Sequence, residues 1–174
     1  MRKNYIAVLF GTLAITGIAA AASGNAIDAT PTGLSLRGGV AFPIDGSYSR
    51  GQSALINLGL EFELPTPLLS GGETFISLDY QTKGFQGDRG SVFPLCINQR
   101  FYGKGRPEGN RTFGFLGFGV AFVDYTSSTA VVAFRGGFGA ELSQNVFVET
   151  ELTIAEAASG LRPNSIGICV GYRF

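Results

Sequence analysis

The stretch VVAFRGGFGAELSQNVFVETEL, residues 131–152, decides the fold. Val132, Phe134, Phe138, Ala140 and Leu142 fall on one face and Arg135, Gly137, Gly139 and Glu141 on the other. That period of two marks a β-strand. Ser143–Asn145 supplies turn residues, and a second alternating run carries Glu149 and Glu151 on one face. If the turn pairs Leu142 with Val146, Gly139 faces Glu149 and Gly137 faces Glu151. Arg135 then lies diagonal to Glu151, within reach of a long side chain.

The same pattern extends over the chain from Gly33 onward. It predicts eight strands, at 33–42, 53–64, 73–82, 92–102, 112–124, 129–142, 146–155 and 165–174. Turn formers fill the connections, among them Pro43, Pro65, Pro67, Gly71, Gly72, Gly84, Gly103, Pro107 and Pro163. One face is apolar almost throughout; the other mixes charge with glycine and serine. Alternation alone does not say which face is inside, because a soluble lipocalin-like barrel turns its apolar face inward and a membrane barrel turns it outward.

Three features favour outward. The polar face is too rich in glycine, and the chain too poor in lysine, for a good solvated surface. Aromatic residues sit at the ends of the apolar faces as girdles: Phe42, Tyr80, Phe93 and Phe122 at one rim, Phe62, Phe101, Tyr172 and Phe174 at the other. The charges of the polar face come in opposite-sign neighbours, which suits a closed interior. Arg37, Glu61, Asp79, Arg100, Arg135, Glu141, Glu149 and Glu151 form the expected lumenal network. Pairing Phe42 with Ala54 places Arg37 diagonal to Glu61. An eight-stranded barrel is about filled by its own side chains, which predicts a plugged lumen. Strand five is apolar on both faces, so Phe113 and Phe115 point inward unless a bulge re-aims them. Pro94 removes a ladder donor from strand four, and a bulge there or a strand beginning at Leu95 is the expected repair.

Composition agrees with such an architecture. Charged residues are 15% of the chain, against about 25% for an average soluble domain. Basic and acidic residues number 13 each, so nothing points to nucleic acid. The N-terminus, MRKNYIAVLFGTLAITGIAAAAS, has a basic start, a short apolar run and small residues that allow cleavage before Ser23. It reads as a secretory signal peptide over 1–22. Residues 23–32 form a short N-terminal segment and 33–174 the barrel. Nothing in the barrel segment approaches 18 consecutive apolar residues.

The chain ends ICVGYRF, with Ile168, Val170, Tyr172 and Phe174 on one face. This resembles the terminal strand, the assembly signal, of outer-membrane barrels. With the leader and eight strands, the whole mature chain resembles the small OmpA/OmpX-like outer-membrane β-barrel family. The segment Glu141 to Leu152 also looks like that family's sixth and seventh strands. The resemblance implies an up-and-down antiparallel barrel with periplasmic termini, folded by the outer-membrane barrel assembly machinery and embedded in outer-membrane lipid and lipopolysaccharide. It implies a monomer with a structural or surface-interaction role. A narrow channel for small solutes or apolar molecules is the alternative. Unlike OmpA-type proteins, the chain is expected to carry no periplasmic peptidoglycan-binding domain, and its predicted outer connections are short. The connections at 65–72 and 103–111 are long for periplasmic turns.

The chain has no histidine. That removes Ser-His-Asp hydrolases and His-ligated metals. It also removes the chemistry of the two small-barrel families that act on lipid A, which relies on a His beside a Ser. No enzymatic activity and no cofactor are expected. Glu149 and Glu151 lie about 6–7 Å apart along one strand, a spacing compatible with glycosidase carboxylates, but charges lining a barrel explain them better. The glycine runs at Gly114–Gly119 and Gly136–Gly139 are not phosphate loops, because strand pattern continues on both sides. Cys96 and Cys169 fall on the polar face of opposite strands, about 15 Å apart across the lumen. A disulfide needs Cα atoms within about 7 Å, so two free, buried thiols are expected. Arg50, Lys83 and Arg89 lie in outer connections, where they could meet lipopolysaccharide phosphates.

Overall fold

The computed structural model describes residues 33–46, 54–83, 90–104, 111–124, 128–158 and 160–174. The expected leader over 1–22, the segment 23–32, Arg50, Arg89 and most of the 103–111 connection lie outside the described residues. Eight antiparallel strands close into one barrel in chain order: β1 (Leu34–Pro43), β2 (Leu55–Glu63), β3 (Gly72–Thr82), β4 (Ser91–Tyr102), β5 (Thr112–Asp124), β6 (Ser128–Glu141), β7 (Val146–Ala155) and β8 (Ser165–Arg173). β1 pairs with both β2 and β8, so the sheet has no edge. The strand ends fall within a residue or two of those expected from the alternation. Every expected register is also met: Gly137 opposes Glu151, Gly139 opposes Glu149 and Arg37 opposes Gly59.

Orientation is apolar-out. Leu116, Phe118, Phe134 and Phe138 on the outer wall are 57–70% exposed, while Arg37, Arg135, Glu149 and Glu151 are 2% exposed inside. We call the end holding Leu34 and Phe174 the terminal end and the opposite one the far end. Phe42 and Phe122 stand exposed toward the far end, where Tyr80 and Phe93 stack with ring centroids 4.7 Å apart. Phe62 and Phe101 are exposed toward the terminal end, beside the edge-to-face pair Tyr172–Phe174.

Two awkward segments resolve differently. Phe113 and Phe115 do point inward, without a bulge, and are 4% and 2% exposed. At Pro94 the expected repair does not occur. β4 begins at Ser91 and runs through the proline, pairing continuously with β5. Its pairing with β3 lapses over Phe93–Pro94 opposite Asp79–Tyr80 and resumes in the same register at Gln81–Val92. A missing donor therefore opens the ladder locally without shifting it. The side chain of Asp79 there faces the lumen.

Candidate functional site

The lumen is filled in layers, each a consequence of what the inward positions carry at that height. Nearest the far end most inward residues are apolar: Ala41, Leu55, Val92, Ala121, Val123 and Ala133, with Ala158 and Leu161 of the last connection packed on them; Gln81, Thr153 and Ser165 stand among them, Ser165 donating to Gln81 Oε1 at 3.1 Å. All of these are 4% exposed or less, so this layer is closed to outside solvent.

Below it lies the charge network. Arg37 on β1 is its hub. Its Nε lies 3.2 Å from Glu61, its Nη2 pairs with Asp79, and its Nη1 contacts Glu149 and, at 2.9 Å, Glu151. Arg135 reaches the same two glutamates from the other side, with Nη2 at 3.1 Å from Glu149 and Nε at 3.0 Å from Glu151. Glu149 Oε1 and Glu151 Oε2 are each shared by both guanidiniums. Asn57 donates to Glu151 at 2.6 Å and to Cys169 Sγ at 3.3 Å. Sharing of this kind is what keeps buried charges tolerable, since each has left water.

The next layer toward the terminal end is aromatic. Phe75, Phe113, Phe115 and Phe147 form one cluster, with edge-to-face contacts at about 6 Å between centroids. Arg100 lies among them, its guanidinium carbon 4.3 Å from the Phe75 ring centre and 4.8 Å from that of Phe113. Its Nη2 donates to Glu61 at 2.7 Å, joining this layer to the one above. At the terminal rim Glu141 is clamped by Arg111, through bonds of 2.9 and 3.1 Å, and by Arg173 at 3.0 Å. The Arg111 guanidinium also lies 3.3 Å over the Tyr102 ring. Hydrogen bonding to Glu141 and its charge hold the Arg111 pKa above the usual guanidinium value against partial burial.

Seven of the eight network residues therefore meet one another: Arg37, Glu61, Asp79, Arg100, Arg135, Glu149 and Glu151. The eighth, Glu141, belongs to the rim clamp instead. Sequence reasoning missed Phe75 and Phe147, the apolar layer and Arg173. A usable signal was present for Phe147: several bulky inward residues stand opposite glycine on the neighbouring strand. Phe147 faces Gly171, Phe115 faces Gly137, Phe113 faces Gly139 and Asn98 faces Gly117. Cys96 and Cys169 are free and buried in the lumen wall. Among the described residues no group of three or more Cys, Asp or Glu is placed to hold a metal ion. An apolar groove of about 630 Å³ lies on the outside of the wall, where Gly114 and Gly136 leave room between Leu116, Phe138, Leu152 and Ile166.

A closed eight-stranded barrel with an apolar outer wall and a charged, filled interior is the fold of outer-membrane β-barrel proteins. The chain is similar to the outer-membrane enzyme PagL, at 17% identity and a TM-score of 0.54 over 81% of this chain and 97% of that one. It is likewise similar to Ail, the attachment invasion locus protein of Yersinia pestis, at 15% identity and a TM-score of 0.50 over 81% and 97%. The backbone structure of Ail in a phospholipid bilayer nanodisc matches at 14% identity and the same TM-score, over 81% and 98%. No family model matches the chain, and no match is found among curated proteins.

Proposed function

We propose that this chain is an integral outer-membrane protein of the small OmpA/OmpX-like kind, with a plugged lumen, a structural or surface-interaction role and no enzymatic activity. The observation that carries this reading is the filled lumen: a closed, mostly apolar layer above a charge network above an aromatic layer. An ion crossing the lumen would have to shed its water to pass a closed and mostly apolar layer, which is costly. The outward apolar wall, continuous around a sheet without edges, supports a membrane setting, because a lipid core requires every backbone group to be paired. The leader supports export, and Ile168, Val170, Tyr172 and Phe174 serve as the signal to the assembly machinery. A non-enzymatic role is supported by the absence of histidine from the 174 residues. The protein works as a monomer among outer-membrane lipids and lipopolysaccharide.

Planar-bilayer recording tests the plugged lumen. The reconstituted protein is expected to give no steady unitary current. Steady currents that enlarge when Arg135 or Glu151 is truncated would establish the narrow channel instead. Fractionation with heat-modifiable migration on SDS gels tests the membrane setting, and release into the soluble periplasmic fraction would overturn it.

A further inference from the structure

Thr74 on β3 and Gln99 on β4 are Cα partners at outward positions of the wall. Their outward neighbours Ile76, Leu78, Leu95 and Phe101 are 38–41% exposed, yet Thr74 is 0% and Gln99 7% exposed. The connection between β2 and β3 accounts for this. The Leu68 N–H donates to Thr74 Oγ1 at 2.7 Å, and the Thr74 hydroxyl donates to Gln99 Oε1 at 2.6 Å. Gln99 Nε2 donates to the Leu69 carbonyl at 3.3 Å, and the Leu69 N–H donates to Gln99 Oε1 at 3.4 Å. The connection thus folds back against the outside of the barrel. Gly71 makes the reversal at φ +86°, and a Cβ on Gly72 would stand 2.6 Å from the Gln99 amide nitrogen. What the connection presents outward is Leu68 and Leu69, 62% and 57% exposed.

We infer that Pro65–Gly71 is a lipid-facing flap at the membrane boundary of the terminal end, which covers the polar pair Thr74–Gln99 and dips Leu68 and Leu69 among the acyl chains. This rests on the membrane reading above. In water, an outward Thr and Gln need no cover, and two adjacent exposed leucines are unfavourable. In hydrocarbon the balance reverses. Each polar group in hydrocarbon must find a protein partner: the flap backbone at Leu68 and Leu69 supplies those of Thr74 and Gln99, the two leucine side chains extend the apolar wall, and exposed Thr66 and Ser70 hold the rest of the flap at the headgroup boundary.

The chain has no tryptophan, so single-tryptophan variants report depth without background. Leu69→Trp, Phe138→Trp on the outer wall toward the terminal end and Ser143→Trp in the 142–145 turn would each be reconstituted in dioleoylphosphatidylcholine vesicles. Emission is compared with that in vesicles of the acyl-brominated lipid, and with aqueous iodide. The flap requires Leu69→Trp to be quenched by bromine about as strongly as Phe138→Trp and spared by iodide, with Ser143→Trp showing the reverse. Iodide quenching of Leu69→Trp alongside a bromine-quenched Phe138→Trp overturns the flap and leaves the membrane reading intact. Resistance of Leu69→Trp to both quenchers means a second copy covers it, which also overturns the proposal. Iodide quenching of Phe138→Trp would instead bring down the membrane reading itself. Adding Thr74→Val to Leu69→Trp is expected to move quenching from bromine toward iodide. Unchanged quenching overturns the pinning role of Thr74.

Discussion

Arg37 of β1 and Glu151 of β7 lie 114 residues apart in the chain and 2.9 Å apart in the lumen. The contact spans β8 and makes Arg37 the one guanidinium of the network touching Glu61, Asp79, Glu149 and Glu151 together.

Replacing Arg37 by Met removes four partners at once and leaves Arg135 and Arg100 to serve four buried carboxylates. Breaking a buried pair from one side costs about 3–5 kcal/mol. The variant should unfold at markedly lower urea concentration in detergent micelles, with unchanged migration of the unfolded band on SDS gels. A midpoint equal to wild type would mean that the hub contributes nothing to stability.

Asp79→Asn should behave oppositely. The network joins three guanidiniums, Arg37, Arg100 and Arg135, to four carboxylates, Glu61, Asp79, Glu149 and Glu151. Neutralising one carboxylate removes the excess charge and keeps an acceptor for Arg37. The expected cost is about 1 kcal/mol or less, the scale of one net hydrogen bond. The same urea series reads it, and a loss as large as that of Arg37→Met would contradict the charge count.

Two glycine substitutions separate lumen from wall. A Cβ on Gly119, facing inward, would meet the Leu95 carbonyl and stand 2.8 Å from the Cys96 Cα, so backbone must move. Gly38 faces outward, and a Cβ there finds only Leu58 Cδ2 at 3.8 Å. Gly119→Ala should cost about 1–3 kcal/mol as an overpacking change, and Gly38→Ala should stay within about 0.5 kcal/mol of wild type. Parallel denaturation curves check the contrast, which disappears if the inward and outward faces are misassigned.

Cys96 and Cys169 are 1% and 2% exposed. The folded protein should resist maleimide labelling, and the unfolded chain should take up one label per cysteine without prior reduction. Mass spectrometry distinguishes the states. Labelling that appears only after reductant would reveal a disulfide.

The strands, their registers and the Arg–Glu diagonals were legible because each follows from period two and one turn, both local properties of the chain. Pro94 was misjudged because a closed barrel can leave a ladder open for two residues when the flanking register holds, as between Leu78–Leu95 and Gln81–Val92. Phe75 and Phe147 were missed because a polar face interrupted by phenylalanine looks like noise along one strand. Only pairing Phe147 across to Gly171 reveals its fit, and Phe75, opposite Glu63 and Asn98, carries no such sign. The flap was beyond reach for a different reason: alternation places Thr74 and Gln99 outward but says nothing of a connection returning to cover them.

Because the hub sits on the first strand and two of its carboxylates on the seventh, the network is complete only once the sheet has closed on itself. An open sheet holding β2 to β8 would leave Asp79 and both β7 glutamates dependent on Arg135, with water still needed to solvate them. Dehydration of the interior and the β1–β8 seam must therefore arrive together. Closure is thereby a cooperative, all-or-none event rather than the last of eight equal additions.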